Sequence, residues 1–114
     1  MFIYSNELLL ADQVKSADTF FQRFMGLMGK KCLGGGQGML FKNCSSVHCF
    51  FMHFPIDVVY LTQDMKVLYV ETIKPWHIGS FVKKAKHVLE LPAGSVQGLS
   101  AGTQIRIELS ALEK

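Results

Sequence analysis

Residues 56–73 read IDVVYLTQDMKVLYVETI, and this stretch decides how the sequence folds. Two runs rich in β-branched and aromatic residues, Ile56–Leu61 and Val67–Ile73, lie on either side of the polar stretch Thr62–Met65. Such runs are typical of strands, and a short polar interruption between two of them predicts a hairpin loop. The sequence therefore predicts an antiparallel strand pair over these residues.

Runs rich in β-branched and aromatic residues also occur on both sides of this hairpin, along most of the chain. Further strands are predicted over Met39–Phe41, Val47–Phe54, His87–Leu91 and Gln104–Leu109. At the amino terminus, Phe2–Tyr4 and Glu7–Ala11 enclose Ser5 and Asn6, two residues that tolerate tight-turn geometry. We therefore predict that a hairpin opens the fold.

One segment has helical rather than strand periodicity. Ser16 suits a helix N-cap, and apolar residues then recur at three- and four-residue spacing at Phe20, Phe21, Phe24, Leu27 and Met28. This pattern predicts a helix over about residues 17–30. The predicted fold class is α+β, a mostly antiparallel, strongly bent sheet or partly closed barrel with one main helix near the amino terminus.

Length and composition exclude several classes of protein. The chain has 114 residues, of which 49% are hydrophobic and 18% charged, so we expect one domain over residues 1–114 with an ordinary core. A net charge of +3 is too small for a global footprint on nucleic acid or on a membrane, and neither partner is expected. Met1–Ala11 lacks the features of a signal peptide, so a cytoplasmic location is expected.

Four residues have the side chains that a zinc or iron site uses. Cys44, His48, Cys49 and His53 form a C-x3-H-C-x3-H run of thiols and imidazoles. Side chains alternate along a strand, so His48 would lie on one side while Cys49 and His53 share the other. The four are therefore weak metal-ligand candidates, and no cofactor is expected.

Two polar residues stand in an otherwise apolar stretch, Val47–Leu61. His48 lies near its start and Asp57 near its end. A buried imidazole and carboxylate each need a hydrogen bond or an opposite charge. The pair could act as a general base, as a ligand clamp or as a structural latch, and the latch is the commonest outcome for buried polar groups.

Two basic features complete the list of candidates. Arg23 lies within the predicted helix and either remains in solvent or faces a carboxylate or an anionic ligand. A longer irregular connection is predicted over residues 75–86. The segment from Lys74 to His87 has four lysines and no acidic residue beside Trp76 and Phe81, a mixture that could hold an anion or nucleic acid but is more often a solvated loop.

Several short motifs follow one another at compatible spacing. They are Arg23–Met28, Gly38–Phe41, His48–Met52, Ile56–Leu61, Val88–Gly94, Gly98–Leu99 and Gly102–Thr103. Together they resemble the DUF192 family, also called UPF0127, a group of small prokaryotic proteins without an established biochemical activity. The resemblance covers most of the chain, from the predicted helix to the last strand. It implies a single β-rich α+β domain with no assigned catalytic chemistry.

The resemblance also draws attention to particular positions. Those matching the family's motif are Arg23, Gly26, Met28, His48, Met52, Asp57, Glu90, Pro92 and Gly94. The chain departs from many relatives at Phe51, where they have tryptophan, and at Thr103, where aspartate is frequent. Many relatives resemble exported proteins, and that location is not carried over. The stretch from Leu91 to Gly94 is predicted to be a turn.

The function predicted first is that of a non-enzymatic ligand-binding or accessory domain with an unknown small-molecule or protein partner. Its cleft would be lined by Met28, Phe50, Met52 and Trp76, with Arg23, His48, Asp57 and Glu90 as polar anchors. One alternative is a small hydrolase-like enzyme in which His48 and Asp57 form the base. Another is a structural partner protein in an assembly.

Overall fold

The computed structural model describes residues 1–17, 35–45, 54–96 and 98–109. In these ranges the chain forms eight strands and no helix. The strands are β1 (Phe2–Ser5), β2 (Leu8–Ala11), β3 (Gln13–Ala17), β4 (Gln37–Lys42), β5 (Ile56–Leu61), β6 (Val67–Ile73), β7 (His87–Pro92) and β8 (Ile105–Glu108).

The strands form two sheets. One has three strands in the order β2-β1-β8, and both of its pairings are antiparallel. The other has five strands in the order β3-β4-β7-β5-β6, antiparallel throughout except for the parallel pair β3 and β4. Each sheet has two different edge strands, so neither closes on itself within the described residues.

The predicted α+β class with a main helix and a partly closed barrel is wrong for the described part of the chain, which is all-β with two open sheets. The predicted helix over residues 17–30 falls outside the described residues, apart from Ala17 at the end of β3. Ser16 was expected as an N-cap and instead lies within β3. The local strand signal of β3 is weak, since Val14 is its only β-branched residue. The segment forms a strand because it pairs with β4.

The hairpin predicted from residues 56–73 is confirmed. β5 and β6 pair antiparallel, and their loop is closed by hydrogen bonds from the Thr62 N–H to the Lys66 carbonyl (2.9 Å) and from the Met65 N–H to the Thr62 carbonyl (2.9 Å). The opening hairpin of β1 and β2 is also confirmed, with Asn6 in the left-handed region at a φ of 55°. The predicted strand Val47–Phe54 lies outside the described residues except for Phe54.

The five-stranded sheet has two buried faces. The side we call the Glu90 face carries Met39, Phe41, Ile56, Val58, Tyr60, Val88 and Glu90. The opposite side, the Asp57 face, carries Leu40, Asp57, Val59, Leu61, Leu89 and Leu91. The Asp57 face packs against the three-stranded sheet through residues such as Ile3 and Ile105. All six residues of β5 are consequently buried, which explains its nearly continuous apolar sequence.

Residues 74–86, which we call the strap, join β6 to β7. The strap contains no named strand or helix, so the predicted irregular connection is confirmed. It starts beside Ile73 at one end of β6 and finishes at the far end of β5, where the Lys86 N–H donates to the Leu61 carbonyl (2.8 Å). Ala85 is buried and Val82 half-buried against the core of the Glu90 face. The strap therefore runs along that face.

Candidate functional site

Asp57 lies on β5 and is only 3% exposed. Its Oδ1 accepts a hydrogen bond from the Thr72 hydroxyl of β6 at 2.7 Å. Its Oδ2 accepts from the backbone N–H groups of Gly94 (2.8 Å) and Val96 (3.3 Å) in the turn after β7. Both oxygens are thus occupied by local donors, an arrangement that ties two strands and a turn together.

The turn that Asp57 holds has a backbone requirement of its own. Gly94 has a φ of 91°, in the left-handed region that side chains disfavour, and the Ser95 N–H donates to the Pro92 carbonyl at 3.1 Å. A turn is therefore found after β7, but it spans residues 92–95 rather than the predicted 91–94, and Leu91 belongs to the strand. Glycine allows the conformation in which the Gly94 N–H points at the Asp57 carboxylate.

Glu90 lies on the opposite face in quite different surroundings. It is 5% exposed, and its cross-strand neighbours are Met39 on β4 and Val58 on β5. Burial in this apolar setting raises the pKa of Glu90 to about 8. No residue in the described ranges donates a hydrogen bond to its carboxyl or forms an ion pair with it. At neutral pH the carboxyl is mostly protonated and can itself donate a hydrogen bond.

A second acidic residue on the Glu90 face does have partners. Glu71 on β6 pairs with Val58, so it lies in the same cross-strand row as Glu90, two strand spacings or about 10 Å away. Its Oε2 accepts from the Tyr60 hydroxyl (2.6 Å) and the Ser80 N–H (2.8 Å), and its Oε1 accepts from the Ser80 hydroxyl (3.2 Å). Glu71 therefore holds the strap against the sheet.

The structure separates two of the predicted polar anchors. Asp57 and Glu90 lie on opposite faces of one sheet, because Asp57 pairs with Leu91 and Val58 pairs with Glu90. Trp76 lies on the strap and is exposed. The other predicted site residues fall outside the described residues and stay predictions: Arg23, Met28, His48, Phe50 and Met52.

Of the four weak metal-ligand candidates, only Cys44 belongs to the described residues. It is half-buried after β4, and its N–H donates to the Lys86 carbonyl at 2.9 Å. His48, Cys49 and His53 lie outside those ranges, so the candidate metal site stays a prediction.

Sequence reasoning missed the partners of the two carboxylates. Counting outward from the predicted loop at Thr62–Met65 would have placed Val70 opposite Asp57, whereas an irregularity between Tyr60 and Leu61 shifts the register and places Thr72 there. The contact between Glu71 and Ser80 had no sequence signal either, since it depends on how the strap folds back.

No helix in the described ranges is long and apolar enough to cross a membrane. The expected cytoplasmic location stays a prediction.

Comparison with known proteins places the chain among relatives of unknown activity. The DUF192 family model, described as "Uncharacterized ACR", matches residues 3–107. A UPF0127 protein of Pyrococcus furiosus is 33% identical over 99 residues, covering 84% of this chain and 85% of the relative. A UPF0127 protein of Pyrococcus horikoshii is 34% identical over 96 residues, covering 79% and 81%.

Two crystal structures have the same fold. A proposed transcription regulator of Sinorhizobium meliloti superposes with a TM-score of 0.72 at 26% identity, covering 82% of this chain and 79% of that one. A protein of unknown function from Novosphingobium aromaticivorans superposes with a TM-score of 0.78 at 18% identity, covering 93% and 82%. The family match and the relatives together confirm the resemblance seen in the sequence, and the chain belongs to the DUF192 family, also called UPF0127.

Proposed function

We propose that this protein is a small, non-enzymatic ligand-binding domain that holds its ligand on the Glu90 face through the Glu90 carboxyl. One observation carries the proposal: Glu90 is only 5% exposed between apolar cross-strand neighbours, and no described residue bonds to its carboxyl. No enclosed side-chain oxygen of the described residues lacks a partner, so the small exposed part of Glu90 includes its carboxyl. A nearly buried carboxyl in an apolar setting that stays reachable from outside and has no protein partner is a candidate binding group.

The cost of Glu90 to the stability of the folded protein supports this interpretation. A pKa of about 8, against an ordinary value of 4.5, means that the folded chain resists ionising this carboxyl. At neutral pH the difference corresponds to on the order of 3 kcal/mol of lost stability, at about 1.4 kcal/mol for each pH unit above the ordinary value. A leucine at this position would avoid that penalty, so the carboxyl is better explained by a role than by stability.

The surroundings of Glu90 define the chemistry of the ligand. A protonated carboxyl donates one hydrogen bond, so the matching group is an acceptor such as a carbonyl, ether or hydroxyl oxygen. The cross-strand neighbours Met39 and Val58 are apolar, and methionine adapts to irregular apolar shapes. We therefore assign a neutral, largely apolar small molecule with one oxygen acceptor as the ligand class.

The geometry of Asp57 weighs against the hydrolase alternative. The Asp57 carboxylate already has a structural role, since its oxygens accept hydrogen bonds from Thr72, Gly94 and Val96 and thereby join two strands and a turn. This carboxylate also lies on the face opposite Glu90. These contacts favour the latch interpretation of Asp57 and a binding role for Glu90.

Ligand-observed NMR with a panel of neutral ketone, ether and alcohol fragments tests the proposal on the full chain. Fragments bound at pH 6.5 should be released as the pH rises through about 8, because the ionised Glu90 no longer donates a hydrogen bond. Glu90→Gln retains a donor and should bind within about threefold of the wild type. Glu90→Leu should bind about tenfold more weakly, as expected for the loss of one buried hydrogen bond.

The exposed Glu108 of β8 provides the matched control, since Glu108→Gln should leave fragment binding unchanged. The proposed site would be rejected if Glu90→Leu bound the fragments as tightly as the wild type. It would also be rejected if the folded wild type bound none of them.

A further inference from the structure

We propose that the outer side of the strap is a docking surface for an anionic lipid membrane, with apolar side chains entering the interface and lysines contacting the headgroups. The proposal concerns residues 74–86 and is independent of ligand binding at Glu90. The net charge of the chain led us to expect no membrane partner. Net charge, however, averages over the whole chain, whereas a membrane contacts only one surface of a protein.

The inner side of the strap is fixed to the sheet. The Ser80 N–H and hydroxyl donate to Glu71, and the Val82 N–H donates to the Ser45 carbonyl at 3.2 Å. The Ser45 hydroxyl in turn donates a hydrogen bond to the carbonyl of the buried residue Ala85 (2.8 Å). These contacts hold the backbone in place, so its outward side chains are presented on a preformed support.

The outward residues include three large apolar side chains. Trp76 is 53% exposed, Ile78 57% and Phe81 73%. Gly79 is buried and Ser80 half-buried between Ile78 and Phe81, so the exposed apolar residues lie on both sides of the point where the strap contacts the sheet. Exposed large side chains on one short segment mark an interaction surface more often than scattered ones do.

The charge of the strap is of one sign. Lys74, Lys83, Lys84 and Lys86 are all exposed, and residues 74–86 contain no acidic residue. The rest of the chain has eight basic and nine acidic residues, so the excess positive charge of the protein lies in the strap. A complementary partner is therefore anionic.

The residue types favour lipid over an acidic protein or a nucleic acid. The strap has lysines and no arginine, whereas arginine is preferred for two-pronged recognition of carboxylates and phosphates in protein and nucleic-acid interfaces. Lysine is also depleted in protein interfaces. Lysines suit a fluid array of headgroups, and tryptophan is enriched where a membrane meets water. Trp76 beside Lys74 fits that boundary.

The protein contains its own reporter for the test, because Trp76 is its only tryptophan. The full chain is titrated with vesicles of about seven parts phosphatidylcholine to three parts phosphatidylserine, while tryptophan emission and co-sedimentation are followed. We expect a blue shift of the emission and sedimentation of the protein with these vesicles. Neither should occur with phosphatidylcholine alone, and about 1 M salt should weaken the binding.

Substitutions in the strap should weaken vesicle binding, and matched substitutions elsewhere should not. Lys83→Gln and Lys84→Gln should each reduce affinity about fivefold, with Lys15→Gln on the far edge strand β3 as the control. Phe81→Ser should reduce affinity about tenfold or more, with Leu8→Ser on β2, also an exposed apolar residue, as the control.

Three outcomes would overturn the proposal. These are the absence of a blue shift with anionic vesicles, equal binding to neutral vesicles, and equal losses in the control variants. The lipid assignment would also be rejected if the strap bound an acidic protein or a nucleic acid but did not bind vesicles. Glu90→Leu should leave vesicle binding unchanged, so failure of the ligand site and failure of the lipid surface are distinguishable.

Discussion

Asp57 and Glu90 are both buried carboxyls in the same sheet, one on each face. The Asp57 carboxylate accepts three hydrogen bonds, and the Glu90 carboxyl accepts none from the described residues. The difference lies in the backbone around them, because a turn brings two N–H groups to Asp57 while Glu90 lies between two paired strands whose N–H groups serve the sheet. Burial alone therefore does not make a carboxyl a candidate binding group, because hydrogen bonds from a nearby turn can account for a buried carboxylate such as Asp57.

Removing the better-satisfied carboxyl should have the largest effect on stability. Asp57→Ala leaves the Gly94 and Val96 N–H groups and the Thr72 hydroxyl without their acceptor. We expect a loss of about 4 kcal/mol in the free energy of unfolding, measured by urea denaturation. The exposed Asp64 is the control, and Asp64→Ala should change stability by less than about 0.5 kcal/mol. Equal losses in the two variants would contradict the latch.

The pH dependence of stability should separate the two carboxyls further. A raised pKa means that the contribution of Glu90 is fully present below about pH 4.5 and is lost as the pH rises through about 8. Glu90→Gln removes the ionisable group, so its stability relative to the wild type should increase by about 3 kcal/mol between pH 4.5 and pH 7. Urea denaturation at several pH values measures this difference. Parallel curves for the two proteins would show that Glu90 ionises without penalty.

The smallest expected effect tests the turn beside Asp57. Gly94→Ala introduces a side chain at a φ of 91° and should cost about 1.5 kcal/mol, although no atom lies within 4 Å of the new Cβ. Gly35→Ala is the control at an uncrowded glycine without a positive φ, and it should be close to neutral. Thermal denaturation compares them, and equal melting temperatures would mean that the turn tolerates the substitution.

Local patterns were sufficient for much of the fold. The bounds of β5 and β6 could be predicted to the residue because long β-branched runs surround a polar loop, although the irregular register between them could not. Strand β3 could not, since Gln13–Ala17 has one β-branched residue and is a strand through its pairing with β4. The separation of Asp57 and Glu90 was also out of reach, because it depends on the register of β5 and β7, which the strap separates in sequence.

The pairing of β1 with β8 has a consequence for synthesis. These strands lie near opposite ends of the sequence, yet Phe2 is opposite Glu108 and Ser5 opposite Ile105. During translation all five strands of the larger sheet emerge before β8 does. We therefore expect the nascent chain to form the larger sheet first, with part of its Asp57 face still uncovered and prone to aggregation. Strand β8 completes the three-stranded sheet that covers this face.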